Sequence, residues 1–316
     1  MIIEVEDTVC LICGSDYCSV EATGKDYLYD SVENVFTFVK CLNCGHLYLQ
    51  PRPKASAAEV IYPENYSSYT AKFSTARWGI NHIKSAVIGF RMRSLFSIIK
   101  DGADVLELGC GDGQLLLDMK ARFQKARFAG LDRKFSPYVR KQLEKNDIII
   151  IEQMLEDARL EDEHYDLIIL NQLLEHLWEP RECIKKIYNA LKPDGLIAIE
   201  TPNADGYDRR LFRKHLWGAY YWPRHLNIFS RSNLIRFLED NNFSVQKHVK
   251  LTAPPTWTYS IKSLIKTNRW VPMKGIQNFF SDINPLALGF FFVIDIICKS
   301  LGLTTSNQKI IAKKKS

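Results

Sequence analysis

Glu175 and His176 stand side by side in Asn171-Gln172-Leu173-Leu174-Glu175-His176-Leu177, directly after an apolar run. An imidazole at the end of a strand can take a proton from a hydroxyl or an acidic carbon, and a neighbouring carboxylate can orient it or a substrate group. The same pair can equally cap a loop and shape a pocket. His225, in Tyr221-Trp222-Pro223-Arg224-His225-Leu226, is a second base candidate. Near the start of the chain a different chemistry is written. Cys10-Leu11-Ile12-Cys13 and Cys41-Leu42-Asn43-Cys44 form two Cys-x-x-Cys knuckles, so Cys10, Cys13, Cys41 and Cys44 can point four sulfurs at one ion. That set suits tetrahedral zinc, and four protein ligands leave no open position, which makes the expected zinc structural. A redox pair is the alternative. Cys18, Cys110, Cys183 and Cys298 stand singly and read as packed thiols.

A third constellation lies between these two. Asp104-Val105-Leu106-Glu107-Leu108-Gly109-Cys110-Gly111-Asp112-Gly113-Gln114 reads as a buried strand running into a glycine-rich turn that opens a helix. Glycines there let backbone approach a ligand where a side chain would collide, and the helix amides face that ligand. Asp132 follows Gly113 by 19 residues, the spacing at which a carboxylate on a neighbouring parallel strand can take both ribose hydroxyls of an adenosine ligand. A dinucleotide is disfavoured, because Asp112 sits in the middle of the turn and repels a pyrophosphate.

The elements that must position these residues alternate. Strands are expected at 104–108, 126–132, 148–151, 165–171 and 195–201, with helices opening at Gln114, Pro137 and Pro180 and near Ser230. Alternation of this kind demands a doubly wound parallel sheet. Ahead of it, β-like runs Tyr27-Leu28-Tyr29 and Val35 to Val39 lie between the cysteine knuckles, and Arg77 to Lys100 reads as one or two basic helices. Tyr62 and Tyr66 flank a turn, packing at the sheet edge or lying over a substrate.

Glu107-x-Gly109-x-Gly111-x-Gly113, Asp132, Tyr165-Asp166-Leu167-Ile168-Ile169 and Leu191-Lys192-Pro193-Asp194-Gly195 together resemble class I S-adenosylmethionine-dependent methyltransferases, over about residues 100 to 250. The closing Gln308 to Lys313 is similar to the last strand of that fold, which inserts antiparallel. The resemblance implies an α/β fold: a doubly wound seven-stranded methyltransferase sheet with a small N-terminal zinc ribbon (1–55), linking helices (56–100) and a catalytic domain (101–316). That domain carries a lid (202–229) and a C-terminal helical insertion (252–305). It further implies that Glu107 and the Gly109–Gly113 turn, Asp112 included, hold the methionine end of S-adenosylmethionine and that Asp132 holds the ribose. The family's acid for the adenine amino group falls here on Met154, with Leu155 beside it. Asn171, at the end of the fourth strand, completes the candidate contacts.

Residues 207–229 are dense in aromatic and basic side chains, among them Arg209, Arg210, Arg213, Trp217, Tyr221 and Arg224. Aromatic faces bind sugars or bases and arginines bind phosphates, so a phosphorylated or nucleotide-linked small molecule is the expected acceptor. A lid packed for its own stability would account for the aromatics less eventfully. The ribbon, the core and Tyr221 to Ser230 together resemble methyltransferases of sugars and surface glycans, implying transfer to oxygen or carbon. RNA methylation is the competing reading. It is disfavoured because Asn171-Gln172-Leu173-Leu174 lacks the Pro-Pro-aromatic clamp of base-nitrogen enzymes and Cys110 is poorly placed as a nucleophile. A non-enzymatic binding module with a residual cofactor fold is the third reading, opposed by the intact turn. The net charge of +6 comes from local patches such as Lys72 to Lys100, and nothing at Met1 to Asp7 resembles a signal peptide, so a cytoplasmic location is expected. Leu286 to Leu303 is apolar but interrupted by Asp295 and Lys299; a packed helix is expected, with peripheral membrane contact as the alternative.

Overall fold

The computed structural model describes residues 1–63, 92–212, 216–267, 279–280 and 284–315. Most of the basic stretch 72–100, together with Tyr66 and Arg213, lies outside them.

The N-terminal unit is built from β1 (Val5–Glu6), β2 (Cys18–Gly24), β3 (Phe36–Cys41), β4 (Leu47–Leu49) and β5 (Arg52–Pro53). β2, β3 and β4 form an antiparallel meander, and β1 pairs with β5. Tyr27 to Tyr29, expected as strand, is a turn instead. The Asp26 carboxylate accepts from the amides of Leu28, Tyr29 and Ser31 and folds the chain back on itself, an option open to short acidic side chains.

The main sheet follows: β6 (Asp104–Leu108), β7 (Arg127–Asp132), β8 (Ile148–Glu152), β9 (Tyr165–Asn171) and β10 (Leu191–Pro202) are parallel. The two-residue β11 (Asn227–Ile228) then leaves it, and β12 (Phe243–Leu251) and β13 (Asn307–Lys314) return. The order is β12-β13-β10-β9-β6-β7-β8, with β13 antiparallel to both neighbours, as the closing residues suggested. All five residues of β6 are buried, as a central strand covered on both faces requires. Helices Pro137–Lys145 and Arg231–Glu239 open where Ser136 and Ser230 cap them, each hydroxyl accepting the amide three residues on.

β11 does not pair within the main sheet. It joins the edge of the ribbon, antiparallel to β4, with Asn227 opposite Tyr48. Cys10, Ile12, Val39 and Cys41 accordingly share one buried cluster with Leu106, Ile168 and Ile199 of the main sheet. Two arginines fasten the seam: Arg181 donates to the carbonyls of Leu11 and Ile12, and Arg52 to that of Trp178.

The insertion is a pair of helices, Pro254–Thr267 and Pro285–Ser300. Asp295, the charge that interrupts the apolar run, is buried between them and accepts from the Ala253 amide and Trp257 Nε1. Among the described residues no helix is long and apolar enough to cross a membrane.

Candidate active site

The carboxyl ends of β6, β7 and β9 open on a cleft of about 390 Å³. Gly109, Gly111 and Gly113 all have positive φ (68°, 54° and 69°), a conformation side chains with a Cβ resist. Their uses differ. Gly109 and Gly111 line the cleft, whereas a Cβ on Gly113 would lie 2.7 Å from Leu143 Cδ2, so that glycine serves the packing of two helices. Asp132 lines the cleft and is held by two amides, Gly111 N–H to Oδ2 and Arg133 N–H to Oδ1, each 2.7 Å. Glu107, Asp112 and Gly113 are not on the cleft wall. Asp112 caps Gln114, and Glu107 lies buried beneath the turn with Oε2 lacking a hydrogen-bond partner.

Burial, and behind it the charges of Asp112 and Asp132, pushes Glu107 well above the usual carboxylate range. Three acids gathered at one turn, one with an orphaned oxygen, suit a cationic ligand. S-adenosylmethionine, with a sulfonium and an ammonium group, fits that donor set.

Met154 lines the cleft beyond Asp132, in the place where an acid was expected. Two residues later, Glu156 also lines it, and its Oε1 is buried without a partner. No local pattern singled out Glu156, which sits in the turn after β8 and not at the aligned position.

The opposite wall carries the second constellation. Asn171 ends β9, and a short 3₁₀ turn, Leu174–His176, brings Glu175 under the cleft and His176 to its surface. Glu175 is fully buried; Oε2 accepts from Thr201 Oγ1 at 2.8 Å, Oε1 has no partner, and burial pushes its carboxyl up to about 8. His225 Nδ1 is 2.7 Å from the Ala219 carbonyl and His176 Nδ1 is 3.0 Å from that of Arg224. A carbonyl only accepts, so both Nδ1 atoms carry the hydrogen and both Nε2 atoms keep a lone pair. Burial lowers His176 to about 4 and His225 well below the ordinary imidazole value, so both rings are neutral at pH 7. Their centroids are 4.6 Å apart, and His225 Nε2 stands 3.9 Å from Glu175 Oε1. The fold thus brings Glu175, His176 and His225 together, although His225 arrives from the lid, where only its type marked it. Tyr62 joins them, its hydroxyl 3.0 Å from His176 Nδ1.

The described lid arginines, Arg209, Arg210 and Arg224, are not on the cleft wall. Arg224 and Asp26 form an ion pair with both side chains at 0% exposure, and Arg209 pairs with Glu21. Each guanidinium ties the lid to the ribbon. Arg213 lies outside the described residues.

In the ribbon, Cys10 and Cys44 Sγ are 3.4 Å apart, Cys13 and Cys41 Sγ 3.5 Å, and all four lie within 4.8 Å of one another. Four sulfurs each about 2.3 Å from a zinc ion would be about 3.8 Å apart. The amides of Ile12 and Cys13 point at Cys10 Sγ, and those of Asn43 and Cys44 at Cys41 Sγ, an arrangement that tempers thiolate charge. The set fits zinc.

The sheet order, with its antiparallel β13, and the glycine turn against Asp132 define the class I S-adenosylmethionine-dependent methyltransferase fold. Residues 81–248 match the family model described as a methyltransferase domain, and the chain belongs to that family. It is 26% identical over 177 residues to (S)-coclaurine N-methyltransferase of Thalictrum flavum subsp. glaucum, covering 54% of this chain and 46% of that one. It is 30% identical over 132 residues to ubiquinone biosynthesis O-methyltransferase of Salmonella paratyphi A, covering 40% and 52%. The matches thus span about half the length of these curated relatives. Among solved structures, coclaurine N-methyltransferase bound to N-methylheliamine and SAH superposes with a TM-score of 0.51 at 18% identity, covering 80% of this chain and 79% of that one. Phosphoethanolamine N-methyltransferase 2 of Haemonchus contortus superposes with a TM-score of 0.50 at 14% identity, covering 95% and 69%.

Proposed function

We propose that this chain transfers a methyl group from S-adenosylmethionine to oxygen or carbon of a small hydroxylated molecule of the sugar class, free, nucleotide-linked or part of a surface-glycan precursor. The observation that carries the reading is that Asp132 with its glycine turn and the histidines His176 and His225, with Glu175 buried beside them, meet at one cleft. The cofactor, when bound, supplies an electrophilic methyl on a sulfonium. The chain's own residues do the rest. Asp132 takes the ribose hydroxyls, Glu107 with Asp112 and Asp132 makes the turn acidic beneath the positive methionine end, and Glu156 offers its orphaned oxygen to the adenine amino group. Met154 and Asn171 pack the cofactor between them.

An acceptor hydroxyl or acidic carbon must lose a proton as it is methylated, and the capacity for that lies in the neutral rings of His176 and His225, with Glu175 beside His225 to orient it. Tyr62, Trp178, Tyr221 and Tyr259 line the same cleft and give a sugar ring flat apolar faces with polar edges. With Arg209 and Arg224 committed to the ribbon, recognition rests on those faces more than on a phosphate clamp. The cysteine site holds a structural zinc. A lipid-linked acceptor is the form of this reading that uses Leu286, Phe290, Val293 and Ile297, exposed on the insertion's second helix.

Calorimetry of S-adenosylmethionine binding tests the first half: Asp132→Ala and Gly111→Val should each weaken affinity at least ~10-fold, the loss of about one strong hydrogen-bonded pair. Unchanged affinity in both removes the reading. Labelled cofactor with cell extract split into soluble sugars, lipid-linked glycan, amines and RNA tests the second half. Label confined to amines or RNA would overturn the sugar assignment.

A further inference from the structure

Glu175, His176 and His225 each offer one metal-capable atom, and these atoms lie within 4.8 Å of one another. We infer that they form a binding site for a divalent first-row transition ion on the acceptor side of the cleft. The inference rests on reading that cleft as the methyl-acceptor site.

Four observations converge on it. The donor set is two imidazoles and one carboxylate, which suits Mn²⁺, Fe²⁺ or Zn²⁺ and leaves coordination positions open. Both histidines have Nδ1 within hydrogen-bond distance of a backbone carbonyl, the outer-shell arrangement that orients a ligating imidazole, and in His225 it leaves Nε2 as the atom that faces Glu175. Glu175 is buried with Oε1 unpartnered, while Thr201 holds its other oxygen. Finally, the 3.9 Å between Glu175 Oε1 and His225 Nε2 is too long for a hydrogen bond. It falls inside the span, up to about 4.2 Å, of two donors each roughly 2.1 Å from one ion.

This site differs in kind from the cysteine site. Four thiolates close the ribbon ion off from substrate, whereas here His176 and His225 border the cleft and the remaining positions face it. An ion held there makes the three residues ligands, in place of direct proton acceptors. Glu175 gives up its proton to water on binding. A hydroxyl that reaches an open position is acidified by the ion and releases its proton to water. The acceptor class narrows accordingly to molecules with two adjacent oxygens, such as a vicinal diol or a hydroxy-carbonyl unit.

The test uses the full chain with its cysteine site filled by zinc. Equilibrium dialysis against Mn²⁺, Fe²⁺ under argon, and Zn²⁺ in separate arms should give one further ion per chain in at least one arm. Bound Mn²⁺ is also read by its electron paramagnetic resonance spectrum, to which a zinc-filled thiolate site is silent. Glu175→Gln and His225→Gln should each weaken that binding at least 10-fold. Cofactor affinity measured alongside shows that the variants are folded, and His176→Gln gives a third reading should either lose it. No ion beyond the cysteine-bound zinc in any arm, or binding undiminished in these variants, overturns the inference. Loss of cofactor binding by the wild-type chain would sink the methyltransferase reading instead, and the dialysis result would stand apart from it.

Discussion

Asp26→Asn is the most informative single change in this chain. Asp26 and Arg224 face each other with both side chains at 0% exposure, Oδ1 taking Nη1 at 3.1 Å and Oδ2 taking Nη2 at 2.9 Å. Although burial opposes it, Arg224 holds the Asp26 carboxyl below its ordinary value. Asparagine keeps the size and one acceptor but removes the charge, and the guanidinium stays protonated at any accessible pH. Stripping one partner from a buried pair costs about 3–5 kcal/mol, chiefly because the other charge is left uncompensated. That is a loss of roughly two to four decades in the folding constant. The effect should reach the chemistry too, since the Arg224 carbonyl receives His176 Nδ1–H and His225 is the next residue. Urea unfolding of the zinc-loaded protein measures the first consequence, and turnover at saturating cofactor the second. A destabilisation below about 1 kcal/mol would place the pair with solvent-exposed ion pairs and refute the reasoning.

Asp104 makes a pH prediction. Arg127 first, and Lys192 with it, lower its carboxyl from 3.8 to about 2 despite burial. A depressed carboxyl stabilises above its unfolded value and loses that contribution as pH falls through the folded one. About 2 kcal/mol should therefore be present at neutral pH and roughly half of it gone by pH 3. Asp104→Asn, unfolded by denaturant across that range, should flatten this part of the profile; an unchanged slope would mean the pair is screened by solvent. For the ribbon, elemental analysis of protein purified under reducing conditions should find zinc at the cysteines, and Cys41→Ser should lower Tm by at least ~5 °C, because the knuckle shares a core with the main sheet. Protein without zinc yet with wild-type Tm would remove the metal from the account.

The parallel sheet was legible because its signals are local. The strand at Tyr165–Asn171 carries a continuous apolar run, glycines mark the cofactor turn, and serines cap two of the helices. What stayed hidden depends on partners distant in sequence. Asn227–Ile228 has nothing of its own to mark it as a strand; it becomes one by pairing with Leu47 and Tyr48. The lid arginines read as phosphate ligands because guanidinium type says nothing of the acid it meets, and Glu21 and Asp26 are nearly two hundred residues away. Tyr27 to Tyr29 has strand-forming residues, but three amide bonds to Asp26 outweigh a weak propensity. Glu175 and His225 could be picked as types but not as a cluster, since one comes from the end of β9 and the other from the lid.

The pairing of β4 with β11 also bears on how the protein is made. His46 bonds Asn227 across 181 residues of sequence, so the ribbon's fourth strand emerges long after its first three. At about 5–20 residues per second, that is a wait on the order of ten to forty seconds on the ribosome. Throughout it, the edge of β4 is open to other nascent chains. The knuckle cysteines, by contrast, have all emerged by residue 44, and an early metal ion would hold the meander in register until its last strand arrives.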